Sequence, residues 1–258
     1  MRWLWLSSAW VILAAASLSA QQIPAGTALP VMLNSSLDAR NDKAGSKVSA
    51  RLMQQVQLPD GAKIPAGSRI VGHVVEANVA TAASPSRLVV KFDTLHFRGL
   101  SIPVSTSLRA VASMTEVFEA QLPTSTFDEY GTSIADWTTV QVGGDAVYRG
   151  DSKVFSPDNR VVGSATVGGD VTARLTPVPA RGCRGSVEDN DRPQSLWVFS
   201  TSACGAYGLG DLKIAHAGRT DPLGEIALEA PANVFLRGGS GLLLRVTASS
   251  SPLPANPR

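Results

Sequence analysis

Residues 58–75 read LPDGAKIPAGSRIVGHVV, and their punctuation decides the fold class. Pro59-Asp60-Gly61 is a turn, because proline presets φ and glycine accepts the backbone conformation that closes it. Ile64-Pro65-Ala66-Gly67-Ser68 has the same chemistry, and the chain then leaves in an alternation of Ile70, Gly72 and Val74. A period of two marks a strand with one face turned to a core. A hairpin from residues 51–58 back into residues 64–75 is therefore expected.

Outward from this point the pattern recurs. Ile23-Pro24-Ala25-Gly26-Thr27 repeats the turn ahead of the alternation Leu29, Val31, Leu33. Val48, Ala50 and Leu52 alternate, as do Leu88, Val90 and Phe92. Shorter strand-like stretches follow at 161–165, 171–175, 196–200, 225–228 and 242–246. The last is nearly continuous in apolar residues, which predicts burial of both faces. The class is all-β, and two turn copies are too few for a solenoid. One exception is predicted at 107–122, where Leu108, Val111, Ala112, Phe118 and Leu122 fall three or four apart, an amphipathic helix capped by Ser107 and stopped by Pro123. A weaker helical piece falls at 132–137. Residues 182–193 read as an exposed loop and 249–258 as a disordered tail.

The chain has 258 residues, 44% hydrophobic and 17% charged, with a formal net charge of +2. That balance supplies a core and gives no global field with which to attract nucleic acid. Met1-Arg2, an apolar run from Trp3 to Leu18 and a small residue at Ala20 read as a signal peptide over residues 1–20, since the run is shorter than the roughly 20 residues of a spanning helix. No other stretch reaches spanning length. Export to a periplasmic or secreted location then makes Cys183 and Cys204, the only cysteines, a disulfide pair rather than reactive thiols.

Reactive groups are sparse. His73, His96 and His216 are the whole imidazole inventory, and none has a partner ligand at metal spacing. Gly238-Gly239-Ser240-Gly241-Leu242 approaches a serine-nucleophile elbow, but Leu242 takes the place of its last glycine, and a turn between strands explains it better. Gly143-Gly144-Asp145 and Gly168-Gly169-Asp170 read as hairpin turns. Trp197 and Phe199 share a face of the 196–200 stretch, with Tyr207 beyond, so they form either a stacking platform for a ligand or core around the disulfide. The three aromatics are the candidate binding surface. No catalytic, metal or cofactor residue is assigned, and the protein reads as non-enzymatic.

Pro24-Ala25-Gly26-Thr27 with Leu29 and Val31, then Leu37-Asp38, Gly45, Val48 and Ala50, then Leu58-Pro59-Asp60-Gly61, Ile64-Pro65-Ala66-Gly67-Ser68, Gly72 and Val74 resemble the C-terminal domain of the TrbI-like family. The resemblance spans residues 23–95, and residues 227–247 more loosely. It implies an irregular β-barrel, as in the scaffold subunits of conjugation and type IV secretion channels, and a protein partner in the cell envelope or a second copy of the chain. Over residues 21–248 this gives a barrel-like domain with one short helix and a central β region elaborated at about 105–220. Family members carry a cytoplasmic tail, a transmembrane anchor and a Pro-rich stretch, which the signal peptide replaces here. Their pore-lining helical pair has no equivalent, since the 107–122 segment carries Arg109, Glu116 and Glu119. Two readings from other classes stand beside this one, a periplasmic hydrolase of cell-wall material and a small-ligand or glycan-binding module.

Overall fold

The computed structural model describes residues 22–124, 138–179, 183, 187–188 and 191–247. The signal peptide, the helical piece at 132–137, the tail at 249–258 and half of the 182–193 loop lie outside the described residues. In chain order the elements are β1 (Ala28–Leu33), β2 (Leu37–Asp38), β3 (Lys47–Leu52), β4 (Val56–Gln57), β5 (Lys63–Ile64), β6 (Arg69–Asn78), β7 (Ser86–Phe97), β8 (Leu100–Pro103), β9 (Thr106–Ala112) and α1 (Met114–Glu119). There follow β10 (Thr138–Val140), β11 (Ala146–Tyr148), β12 (Lys153–Phe155), β13 (Val161–Ala165), β14 (Val171–Ala173), β15 (Gln194–Ser195), β16 (Gly205–Tyr207), β17 (Lys213–Ile214), β18 (Ile226–Ala230), β19 (Phe235–Leu236) and β20 (Gly241–Val246). The expectation of an all-β chain with one short helix holds.

The larger sheet runs β16-β9-β20-β1-β3-β6-β7-β18-β17, with β8 added to the far half of β7. Its ends, β16 and β17, touch each other and are separated by only residues 208–212, so the sheet curls back on itself. Among the described residues no ladder joins those ends, and the barrel stays unclosed. Leu29, Val31 and Leu33, Val48 to Leu52, Ile70 and Val74, Leu88 to Phe92, and Leu242 to Val246 send their alternating apolar side chains into one core. Ala28, Ala110, Ala112 and Leu243, on the opposite faces of β1, β9 and β20, belong to a second core. Both faces of β20 are therefore buried, as its continuous apolar run implies.

The two Pro-Ala-Gly turns adopt the same geometry. Gly26 and Gly67 have φ of 80° and 83°, a conformation that costs glycine nothing. Thr27 and Ser68 donate their hydroxyls back to Pro24 O and Pro65 O at 2.7 and 2.6 Å. Gly26 N then donates to Val246 O at the end of β20, and Gly67 N to Leu52 O at the end of β3. Each turn thus pins the start of its own strand to the end of a neighbour. The expected hairpin forms as two ladders, β3 with β6 and β4 with β5.

A second sheet, β10-β11-β12-β13-β14-β15, is an antiparallel meander of strands two to five residues long. The two Gly-Gly-Asp turns link β10 to β11 and β13 to β14, as their composition implies. Gln54, between β3 and β4, staples this sheet to the barrel. Its carboxamide oxygen accepts from Trp197 N at 2.7 Å, and its nitrogen donates to Val171 O at 2.8 Å.

Two elements differ from expectation. Residues 106–112 are strand β9, and α1 spans only Met114–Glu119. All seven residues of β9 are buried, with Leu108 and Val111 in the first core and Ala110 and Ala112 in the second, so apolar side chains fall on both faces and spacings of three and four arise without a helix. The capping residue is Ser113, whose hydroxyl accepts from Glu116 N at 3.2 Å, rather than Ser107. Residues 196–200 form a turn, not a strand. Trp197 has φ of 50°, Phe199 N donates to Leu196 O at 2.9 Å, and Phe199 makes only an isolated bridge to Val142.

Candidate functional site

A cleft of about 1270 Å³ lies between α1 and the open end of the second sheet. Its walls are Glu116 and Glu119 of α1, the Gly143-Gly144-Asp145 turn, the turn carrying Asp158 and Arg160, the strand exit at Arg174 to Val178, and Tyr207. Close approach builds the cleft floor. At Gly143 a Cβ would stand 2.1 Å from Ser200 Oγ, so only glycine lets the first hairpin turn touch the 200–203 turn. Asp145 then reaches beneath it, and its Oδ2 accepts from Thr201 N at 2.7 Å and Thr201 Oγ1 at 2.8 Å. Burial pushes the Asp145 carboxyl above the ordinary aspartate range, and the bonds from Thr201 only partly oppose this. Asp158, exposed at the rim, is held below that range by Ser156 and by Arg160, whose Nε lies 2.6 Å away. The cleft is thus acidic at its α1 wall and mixed at its rim, with exposed Val140 and Val178 adding apolar surface.

Cys183 and Cys204 form the expected disulfide. Cys204 N donates to the Tyr207 hydroxyl at 3.1 Å, so the bridge also sets the ring at the cleft wall. Beyond Cys183, Val187 is buried, and Glu188 accepts from Thr220 N and Oγ1 and pairs with Arg245 of β20 at 2.6 Å. Burial pushes the Glu188 carboxyl up, but Thr220 and the Arg245 charge outweigh it and hold the group below its ordinary range. The cysteine loop is accordingly fastened to the barrel as well as to the 200–204 turn.

The three aromatic candidates separate. Phe199 is fully buried and Trp197 is 8% exposed, both inside the second core. Their rings stand 3.4 and 3.3 Å from where a Cβ on Gly241 would lie, so the glycine that opens β20 makes room for them. Only Tyr207, half-buried, reaches the cleft. The histidines are also apart. His73 Nδ1 faces Asp93 Oδ2 at 3.2 Å, His96 bonds Ser101 at 2.8 Å, and His216 lies 3.5 Å from Asp221. Ser240 is fully buried in its turn, with Leu33 N donating to its carbonyl at 2.9 Å. Among the described residues no three His, Cys, Asp or Glu converge on a metal position, and no helix is long and apolar enough to cross a membrane.

Sequence reasoning missed Gln54, Gln141 and Asp145, buried polar residues whose partners lie far along the chain or depend on a fold not yet formed. No protein-family model matches this chain, and no curated protein does.

Proposed function

We propose that the protein is an exported, non-enzymatic component of the cell envelope with a structural or binding role, a stand-alone relative of the scaffold barrel of secretion channels. The observation that carries this reading is the paired Ile-Pro-Ala-Gly turn. The two copies on which the resemblance rests sit in equivalent places, each pinning a strand start to the end of a neighbour in one curled sheet. The Cys183–Cys204 bridge fits an oxidising compartment. Met114 and Phe118 on α1, 42% and 61% exposed, offer apolar surface to an envelope partner or a second copy. Binding of a small ligand or glycan is the second reading, and the cleft beside Tyr207 favours it over the buried Trp197 and Phe199.

The test is expression of the chain from Met1, followed by fractionation, mass spectrometry of the N-terminus, thiol counting and native mass measurement. The expected result is cleavage after Ala20, no free thiol, and a mass above the monomer in the envelope fraction. A cytoplasmic protein with both thiols free overturns the reading. So does a strict monomer that cleaves cell-wall material and loses that activity on Ser240→Ala.

A further inference from the structure

Gln141 and Asp145 face each other across the Gly143-Gly144 turn, where Gln141 N donates to Asp145 O at 2.8 Å. Residues opposed in this way send their side chains from the same face of the ladder. Both side chains reach one short segment. Gln141 Nε2 donates to Trp197 O at 2.8 Å, while Asp145 Oδ2 takes its two bonds from Thr201. Their remaining atoms, Gln141 Oε1 and Asp145 Oδ1, are buried, and among the described residues neither has a hydrogen-bond partner. Asp145 is fully buried and Gln141 is 4% exposed. Turning the carboxamide over does not help, because its oxygen would then face the Trp197 carbonyl. A single proton shared between the two would satisfy both atoms.

We propose that Asp145 is a neutral carboxylic acid in the folded protein, its Oδ1 hydroxyl donating to Gln141 Oε1, and that this shared proton is a pH-sensitive latch holding the Gly143-Gly144 turn against residues 197–201. Burial first, and then the nearest charge, favour the neutral form. Asp158, from the turn after β12, opposes ionisation of Asp145, and Arg160 is engaged with Asp158. Arg149, beyond β11, donates to Thr139 Oγ1 at 3.4 Å. Arg174, Glu116, Glu119 and Asp191 stand on the other walls of the cleft. Burial acts on the carboxyl in the same direction. Ionisation breaks the O–H bond, releases the proton to solvent and leaves a carboxylate facing the Gln141 oxygen, so the latch opens onto the cleft floor. A group whose value is raised by folding contributes stability in full below its unfolded value and loses it as pH rises through the folded one.

Asp145→Asn tests the latch, since the introduced carboxamide can donate to Gln141 Oε1 while its oxygen accepts from Thr201, and it does not titrate. Thermal melts of both proteins across pH are expected to show the wild-type melting temperature falling relative to that of the D145N variant as pH rises. Carbon-13 titration of the Asp145 carboxyl in the full native chain is expected to show it protonated where the exposed carboxylates have ionised. Should D145N fail to fold, that titration decides alone. Ionisation of Asp145 together with the exposed carboxylates overturns the proposal. A wild type that gains on D145N as pH rises, or a crystal structure with a water between Oδ1 and Oε1, also overturns it.

Discussion

The curled sheet and the second sheet solve the same problem by different means. In the first, β6 and β7 run for 10 and 12 residues, and alternating Leu, Ile, Val and Phe fill a core that each strand finds by its own periodicity. In the second, no strand exceeds five residues, and Val and Ala surround two aromatic rings. There, position is set by side-chain hydrogen bonds between distant parts of the chain: Gln54 to Val171 and Trp197, Gln194 Oε1 to Ala28 N, and Ser195 Oγ to Gln55 O. Long strands place themselves by burying apolar surface. Short strands bury too little surface for that and depend on directional bonds, a disulfide and close glycine contacts.

The comparison breaks most severely at Gly72. The register of β6 against β7 shifts there, and a Cβ would lie 1.8 Å from Lys91 O and 2.7 Å from Phe92 Cα. Both neighbours are backbone and cannot rotate away. Gly72→Ala is expected to cost more than about 4 kcal/mol, at the severe end of single substitutions, and to unfold both sheets together. Urea denaturation monitored by far-ultraviolet circular dichroism reads this. A variant with a near-native midpoint would show that the long strands yield more readily than their packing implies.

Opening the disulfide sharpens the contrast. Cys183 and Cys204 are separated by 21 positions, and the chain-entropy model gives a loss of about 3 kcal/mol for Cys204→Ser. Hydrogen exchange is expected to show lost protection around residues 194–205, with β6 and β7 still protected. Uniform loss across both sheets would mean that they unfold as one unit, and the distinction would fall. Gln54→Leu comes next, at about 2 kcal/mol, because it strands the buried amide of Trp197. Its effect should appear as lost near-ultraviolet signal from Trp197 with far-ultraviolet signal retained.

The same contrast explains what the sequence disclosed. Leu29, Val31 and Leu33 announce their strand because each carries its own face preference, and the Ile-Pro-Ala-Gly copies announce theirs because proline and glycine act locally. Cys183 and Cys204 pair by elimination once export is assumed. Trp197 could not be placed this way, since its turn is held by Gln54, 143 positions away. Asp145 was legible as a hairpin turn residue, whereas its burial depends on Thr201 arriving from another part of the chain. Residues 107–112 misled for a third reason. A strand that sends apolar residues into two cores has no period of two, and adding the first turn of α1 to it produces a helical spacing by accident.

The smallest predicted effect tests the seam itself. Ser113 ends β9 of the barrel and caps α1, whose buried Val117 lies in the second core and sits against Gly241 of β20. Its hydroxyl accepts from Glu116 N, and its own amide donates to Tyr207 O at 3.0 Å, so one residue faces both regions. Ser113→Ala removes only the first of these contacts. A lost cap costs about 1 kcal/mol, and the backbone bond to Tyr207 survives the change. The expected result is therefore faster hydrogen exchange in α1 and near Tyr207, with β6 and β7 unchanged and a melting temperature lowered by a few degrees. Ser113→Asp restores a cap acceptor and should restore protection. If it does not, α1 is held by Val117 packing alone, and the seam belongs to the apolar solution rather than the polar one.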